Sequence, residues 1–255
     1  MNIYVSTSNK GIHIIQAFQY LFNKYWDVTQ SVTILGWDNK PDFDLAPNFQ
    51  FISLGVDTGP KIGGALIDFF SGIEDEHFIY TVDSHLIIRS VDLRLLRYLA
   101  RIIENSDCVG RITLTGGAEI TEPYNYTVVS EKADFNLVEQ SQIANYRMSA
   151  VWSIYAKGYF LKYLEPDMDL WKWETEGSER AKMDGWQLLA TTGRYPITTC
   201  RIYKRGQLHS GSFKSWDKFG EEMAREDQVA VRRIVRGPMW QVAGQSVMLK
   251  ARMCS

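Results

Sequence analysis

An aspartate and a histidine stand one residue apart in the sequence Val82-Asp83-Ser84-His85, directly after a short apolar run over 78–82. The run is rich in aromatic and β-branched residues, which predicts a buried strand. Ligands of open α/β sheets lie in the crevice outside the carboxyl ends of the strands. A carboxylate and an imidazole at such a place would offer a divalent cation one oxygen and one nitrogen ligand. The alternative is that Asp83 caps a turn and His85 is an ordinary polar residue.

A second group of aromatic and acidic residues lies over 171–178, in the sequence Trp-Lys-Trp-Glu-Thr-Glu-Gly-Ser. Aromatic rings suit the apolar faces of sugars and nucleobases, although most tryptophans serve in cores and interfaces. A carboxylate beside such rings is a candidate for proton transfer. The alternative is a helix start, where acids favour the macrodipole and Gly177-Ser178 provides a cap.

Composition argues against several classes of protein. The chain of 255 residues is 45% hydrophobic and has a formal net charge of -2, whereas nucleic-acid binders usually carry a basic excess. No apolar stretch approaches the ~20 residues of a membrane span, and residues 1–5 have no signal-peptide pattern. The 3 cysteines are scattered and suggest neither a disulfide framework nor a zinc site, so we expect a cytoplasmic protein.

Apolar periodicity predicts an alternation of strands and helices in the first half of the chain. Strands are expected over 2–6, 32–37, 50–54 and 78–82, with helices over 14–26, 63–70 and 91–103. This order predicts a parallel, doubly wound half-sheet of a type that binds nucleotides. The second half is less regular, with strands expected over 109–115, 124–130, 146–152 and 197–204, and helices over 159–164, 177–189 and 213–236.

The half-sheet, the Asp83-x-His85 pair and the aromatic-acidic segment together resemble glycosyltransferases of the GT-A fold. The resemblance implies an α/β protein with a GT-A-like mixed sheet, made of a doubly wound nucleotide-binding half and an acceptor-binding half. We therefore expect a single domain over 1–255, with the nucleotide-sugar half at 1–115 and the acceptor half at 116–255.

Members of this family usually hold a divalent metal through an Asp-x-Asp motif, and His85 replaces the second aspartate here. The same Asp-Ser-His sequence is found in the polypeptide N-acetylgalactosaminyltransferases, in which a later histidine completes the metal site. The resemblance implies that Asp83, His85 and His209 hold Mn²⁺ or Mg²⁺. His209 follows a late predicted strand in a glycine-bearing loop. The metal would neutralise charge on the departing nucleoside diphosphate.

The segment 146–178 is similar to a pattern in bacterial and viral sugar transferases. The pattern is a Tyr-Arg-x-Ser strand, an apolar-Trp step, a Tyr-Leu helix and a Trp-acid-aromatic-Glu-x-x-Gly-Ser run. Trp171, Trp173, Glu174, Gly177 and Ser178 match it, whereas Lys172 stands where an acid is common. A late Val-x-Gly-Lys-Trp segment is also matched in part over 235–240, with Pro238-Met239 in place of the lysine.

The resemblance suggests roles on the acceptor side of the site. An inverting enzyme needs a carboxylate to take the proton from the acceptor hydroxyl, and Glu174 fits this role, with Glu176 as the second candidate. The exposed faces of Trp152, Trp171 and Trp173 would bind the acceptor sugar. The Asp-x-His comparison points instead to retention of configuration, so inversion and retention both stay open.

Several residues of the first half are candidates for binding the donor. Ser6, Thr7 and Ser8 follow the first strand, where such folds contact the nucleoside, and Asp38 would accept a hydrogen bond from uracil. Lys61, at a helix start, would meet phosphate together with backbone N–H groups. Each of these residues could equally serve as a cap or turn residue. The glycines match neither a P-loop nor a Gly-x-Gly-x-x-Gly pattern, which argues against a kinase or a dehydrogenase.

These interpretations predict a metal-dependent glycosyltransferase that moves a sugar from a nucleotide-sugar, with a UDP-sugar as the favoured donor, to a glycan or another hydroxyl acceptor. A nucleotidyltransferase on a related sheet is the first alternative, and it would need several carboxylates around its metal. A catalytically degenerate, carbohydrate-binding member of the same fold is the second.

Overall fold

The structure is a computed structural model that describes residues 1–59, 61–116, 126–201 and 223–234, together with the backbone of 203–204 and 207–208. The predicted third metal ligand, His209, lies outside these residues. So do residues 213–222 and 235–236 of the predicted helix over 213–236, and the closing segment over 235–240.

Strands and helices alternate in the first half, as predicted. They are β1 (Ile3–Ser6), α1 (Ile14–Tyr25), β2 (Val32–Gly36), β3 (Phe49–Ser53), α2 (Gly63–Gly72), β4 (His77–Val82), β5 (His85–Ile87), α3 (Leu93–Glu104) and β6 (Val109–Thr113).

The second half contains shorter elements. They are β7 (Tyr126–Glu131), β8 (Asn136–Gln140), β9 (Ser153–Ala156), α4 (Lys157–Lys162), the helical segment α5, β10 (Gln187–Thr192), β11 (Thr199–Arg201), β12 (Tyr203–Lys204), β13 (Gln207–Leu208) and the helix α6 over 225–234. Segment α5 joins three pieces, namely Leu170–Lys172, the π-helical Trp173–Gly177 and Ser178–Arg180.

Nine strands form one mixed sheet in the order β3-β2-β1-β4-β9-β6-β10-β8-β7. Strands β3, β2, β1 and β4 are parallel, and β9 runs antiparallel to both β4 and β6. Strand β9, from the second half of the chain, therefore lies between two strands of the first half. Strands β1 to β4, β6 and β10 all end at the same edge of the sheet, which we call the carboxyl edge.

Most residues of the central strands are buried, because both faces of the sheet are covered. Every residue of β1, β2 and β6 is buried, whereas the edge strand β7 is mostly exposed. Helix α3 packs through a stripe that includes Leu95 and Leu99, and it begins where the Asp92 carboxylate accepts a hydrogen bond of 3.0 Å from the Leu95 N–H.

Two predicted elements of the second half are wrong. The segment 146–152 is irregular, and the strand begins only at Ser153. Tyr146 has a φ of 55°, in the left-handed region, which breaks an extended strand. The predicted helix over 177–189 ends at Arg180, and its second part is strand β10. Met183 and Gly185 have φ values of 58° and 82° between the two elements, which a helix does not allow. Strand β8 was not predicted.

Within the described residues, no helix has the length and apolar character needed to cross a bilayer.

Candidate functional site

The end of β4 places Asp83 beside the loop that follows β1. Ser6 pairs with Val82 in the parallel ladder, and the Asp83 N–H donates a hydrogen bond of 3.1 Å to the Ser6 carbonyl. The Thr7 hydroxyl Oγ1 donates to Asp83 Oδ2 at 2.6 Å. The sequence-predicted residues Thr7 and Asp83 are therefore in direct contact at the carboxyl edge.

Gly11 allows the loop after β1 to pack against this carboxyl group. A Cβ atom at Gly11 would lie 2.3 Å from Asp83 Oδ2 and 3.2 Å from Thr7 Oγ1, which is too close to the carboxyl oxygen for any side chain. The glycine is therefore required by the close approach of backbone and carboxylate.

Burial raises the pKa of the half-buried Asp83 carboxyl to about 7, although the hydrogen bonds from Thr7 and from the Ser84 backbone favour the ionised form. The carboxyl group is therefore partly protonated near neutral pH.

The two serines of the loop have other partners. The Tyr80 hydroxyl donates to Ser6 Oγ at 2.8 Å inside the protein, and Ser8 Oγ accepts from the Gly11 N–H at 3.0 Å in an exposed turn. Burial raises the pKa of Tyr80 above its usual range, and the charges of Asp83 and Glu174 add to this effect. Tyr80, which the sequence analysis missed, is thus within electrostatic reach of both predicted functional carboxylates.

His85 is the first residue of β5 and pairs with Arg201 of β11. The imidazole is buried, and the Arg201 Nε–H donates to His85 Nε2 at 2.5 Å. Burial lowers the pKa of His85 well below its usual range, and the adjacent Arg201 charge lowers it further. The Trp152 indole N–H donates to the His85 carbonyl at 2.9 Å. His85 is therefore a neutral imidazole whose Nε2 accepts a hydrogen bond from a guanidinium group.

As the side chains lie, His85 does not fit the role of a metal ligand. The neutral ring has one in-plane lone pair, at Nε2, and this lone pair already accepts the hydrogen bond from the Arg201 Nε–H. Among the described residues, no group of three His, Cys, Asp or Glu side chains is placed to hold a metal ion. A metal held by Asp83, His85 and His209 stays a prediction.

Asp38 follows β2 at the same edge of the sheet. It is exposed, and its carboxylate accepts a hydrogen bond of 2.9 Å from Asn9 Nδ2, which lowers its pKa. The Asn39 N–H donates to Asn9 Oδ1 at 3.2 Å. Asn9, another residue that the sequence analysis missed, thus links the loops after β1 and β2.

The start of α2 does not support the predicted phosphate site at Lys61. The Gly63 and Gly64 N–H groups already donate to the carbonyls of Met168 and Pro166, at 2.9 and 3.1 Å. A Cβ atom at Gly63 would lie 1.9 Å from the Glu165 carbonyl oxygen, so the 165–168 segment covers this helix start. The predicted backbone donors are therefore used within the protein.

Lys61 itself forms an exposed ion pair of 3.0 Å with Asp167. It lines a cavity of about 750 Å³ together with Trp37, Leu54 and Phe69, and neither Thr7, Asp83 nor His85 lines that cavity. Lys61 thus does not share this cavity with the Asp83 carboxyl group.

The loop before β9 reaches the carboxyl edge from the acceptor side. Ser153 pairs with Tyr80 of β4 and with Thr113 of β6, so residues 149–152 lie where those two strands end. Glu174 of α5 accepts hydrogen bonds at Oε1 from the Ala150 N–H, at 2.6 Å, and from Ser149 Oγ, at 3.3 Å. The predicted base is therefore half-buried and attached to the loop that precedes β9.

The three predicted acceptor-binding tryptophans differ in exposure. Trp152 and Trp173 are fully buried, where Trp152 stacks on Phe18 at a centroid distance of 5.8 Å and Trp173 packs against Phe160 at 5.0 Å. A buried indole offers no face to an acceptor, so these two predictions are corrected. Trp171 is 63% exposed, and Glu176 is exposed as well.

Arg147, from the Tyr-Arg-x-Ser sequence, supports the backbone of this region. It is fully buried and forms an ion pair of 2.8 Å with Asp184. Its guanidinium also donates to the carbonyls of Ala181, Ser141 and Trp186. The arginine therefore connects the loop before β9 to the end of α5 and the start of β10.

Neither a known family model nor a curated protein matches the sequence. Solved structures do match. The mannosyltransferase PcManGT from Pyrobaculum calidifontis, in complex with GDP-Man and Mn²⁺, is 11% identical with a TM-score of 0.50, and the match covers 80% of this chain and 57% of that chain. S. aureus TarS 1-349 is 13% identical with a TM-score of 0.48, over 92% of this chain and 63% of that chain. The same TarS fragment in complex with UDP-GlcNAc gives 14% identity, a TM-score of 0.48 and coverages of 92% and 64%.

The chain thus spans less than two thirds of the length of each of these matched chains. At such identities the likeness shows the fold alone, and it confirms the predicted fold class. The protein has a mixed α/β, GT-A-like fold.

Proposed function

We propose that the protein is a glycosyltransferase that moves a sugar from a nucleotide-sugar, with a UDP-sugar as the favoured donor, to a hydroxyl group of a glycan or another acceptor. The observation that carries the proposal is the contact between Thr7 and Asp83 at the carboxyl edge. The sheet order β3-β2-β1-β4 makes the gap between β1 and β4 a point where the chain reverses direction across the sheet. Ligands of α/β sheets bind at such switch points.

The donor side of the site suits a nucleoside. In this proposal, the Asp83 carboxylate accepts hydrogen bonds from ribose hydroxyl groups, and the exposed Asp38 accepts one from the base. PcManGT was solved with GDP-Man, which makes nucleotide-sugars the first class of donor to test.

The acceptor side of the site suits proton transfer. A general base must lie within hydrogen-bond reach of the hydroxyl group that it deprotonates. Glu174 is held at the carboxyl edge by the Ala150 N–H, and Trp171 presents an exposed indole on the same segment. We assign Glu174 as the base, Trp171 as the acceptor platform and Glu176 as the second candidate for the base. The proposed transfer proceeds with either inversion or retention of configuration at the anomeric carbon.

A nucleotidyltransferase is less well supported. Such an enzyme would gather several carboxylates around its metal, and the described part of the chain brings no such group together.

The proposal is tested by titrating the protein with UDP-, GDP-, dTDP- and CMP-sugars by calorimetry, with and without Mn²⁺, and by following donor hydrolysis. We expect one class to bind and to be hydrolysed slowly. The isosteric variant Asp83→Asn should reduce hydrolysis by roughly 100-fold or more, whereas the exposed control Asp107→Asn should not change it.

Failure of every nucleotide-sugar to bind would overturn the proposal. Binding without hydrolysis or transfer would favour the non-catalytic, carbohydrate-binding alternative.

A further inference from the structure

Arg201, from a distant part of the sequence, contacts the histidine of the Asp-x-His pair. Arg201 is 116 residues from His85 in the chain, and the antiparallel pairing of β5 and β11 brings the two side chains together. Arg201 is exposed, and its contact with His85 uses only the Nε–H among the guanidinium donors. The terminal amino groups are not part of that contact.

The contact with Arg201 and a metal ion at His85 exclude each other. Nitrogen ligands bind first-row divalent metals at about 2.0–2.2 Å, and the guanidinium nitrogen lies 2.5 Å from Nε2. One lone pair cannot serve both partners. Because Nε2 accepts a hydrogen bond, the neutral imidazole carries its proton at Nδ1. The ring therefore acts as an acceptor that orients the guanidinium group.

The charge of the pair suits an anionic ligand. His85 Nε2 accepts a hydrogen bond from Arg201 and therefore carries no proton, so the ring adds no charge to that of the guanidinium group. A guanidinium group forms paired, charge-assisted hydrogen bonds with phosphate oxygens. The Asp83-Ser84 turn leads directly into β5, so the residue that contacts Arg201 lies two residues after the carboxyl group of the proposed donor site.

We infer that Arg201, held by His85, is the group that binds the diphosphate of the donor, and that donor binding consequently needs no divalent metal. The inference rests on the proposed function. In transfer, the bond between the anomeric carbon and the diphosphate oxygen breaks, and its electron pair leaves with that oxygen. The acceptor oxygen bonds to the anomeric carbon, and its proton passes to Glu174. Arg201 stabilises the negative charge on the departing diphosphate.

The first measurement is the affinity for UDP in EDTA and in Mn²⁺. We expect the wild-type protein to bind UDP in EDTA, with an affinity that Mn²⁺ changes by less than about threefold. Arg201→Ala should weaken UDP binding by roughly tenfold or more, as for the loss of hydrogen bonds to a charged group. Arg201→Lys should restore part of the affinity, because lysine keeps the charge without the paired geometry.

A second ligand separates phosphate binding from a structural role. Uridine lacks the diphosphate, so Arg201→Ala should leave uridine affinity unchanged, whereas a damaged fold would weaken uridine and UDP alike. Arg97→Ala, at an exposed position of α3, is the matched control and should change neither affinity.

The outcomes distinguish the two proposals. A strict requirement for Mn²⁺ in UDP binding would overturn the role of Arg201 and favour the metal site of Asp83, His85 and His209, with the proposed function intact. Equal loss of uridine and UDP affinity in Arg201→Ala would show that Arg201 has a structural role and does not bind the diphosphate. If neither UDP nor any nucleotide-sugar binds in either buffer, the role of Arg201 and the proposed function are both wrong.

Discussion

The two sides of the carboxyl edge are built in different ways. On the donor side, regular parallel strands end together, and their ends bring Thr7 and Asp83 into contact with little help from other side chains. On the acceptor side, the backbone over 141–152 is irregular, and buried side chains hold it in place. In a sheet, the strand topology alone brings side chains together. An irregular loop also needs polar side chains that form hydrogen bonds with its own backbone groups.

The largest effect should come from breaking the support of the acceptor side. Arg147→Ala would leave Asp184 buried without its ion-pair partner and would remove one hydrogen bond from each of three backbone carbonyls. We expect a loss of about 3–5 kcal/mol in the free energy of unfolding, measured by chemical denaturation.

The matched control for Arg147→Ala is Lys182→Ala, which breaks an exposed ion pair of 2.7 Å with Glu179. That variant should cost at most about 1 kcal/mol. Similar losses for the two variants would show that Arg147 does not support this region.

A smaller effect should distinguish the two roles of Glu174, which are to anchor the 149–150 loop and to accept a proton from the acceptor. In Glu174→Gln, the amide oxygen can still accept the hydrogen bond from the Ala150 N–H, so the loop should keep its anchor. The amide cannot take a proton from the acceptor. We expect transfer to fall by roughly 100-fold or more, with donor affinity and melting temperature unchanged, in steady-state assays and calorimetry.

Glu176→Gln tests the second candidate for the base, which is exposed on the same π-helical turn and which the assignment of Glu174 predicts to be dispensable. Its turnover should equal that of the wild type. Full turnover of Glu174→Gln would make Glu174 a cap of the 149–150 loop and not a base.

A third effect should be a pH dependence of stability on the donor side. Burial raises the pKa of Asp83 to about 7 from an ordinary value of 3.8, so the folded state binds more protons than the unfolded state between these values. This group therefore lowers the free energy of unfolding as pH rises from about 4 to 7, and its effect is constant above that range. Asp83→Asn should remove this contribution to the pH dependence. The free energy of unfolding of the variant should therefore increase relative to that of the wild type as pH rises from about 4 to 7.

Chemical denaturation of both proteins between pH 4 and pH 8 measures this difference. Parallel stability profiles for the wild type and Asp83→Asn would contradict the raised pKa of Asp83.

The sequence predicted the donor side better than the acceptor side. Periodicity and β-branched runs identified β1 to β4 and α1 to α3, since buried parallel strands and amphipathic helices have strong patterns. It also pointed to Asp83 and to the loop after β1, because the ends of parallel strands meet at one edge. The prediction of a strand over 146–152 was wrong because the apolar residues of this segment lie in a loop. The conformation of that loop depends on Arg147, Asp184 and Glu174.

By itself, the sequence determined the α/β alternation and the position of Asp83 at the end of a buried strand. Those features depend on neighbours along the chain. Only the tertiary structure decided that Trp152 and Trp173 lie in the core, that the start of α2 is covered, and that His85 meets Arg201. These outcomes depend on contacts between distant segments, and the pairing of β5 with β11 leaves no local pattern that would reveal it.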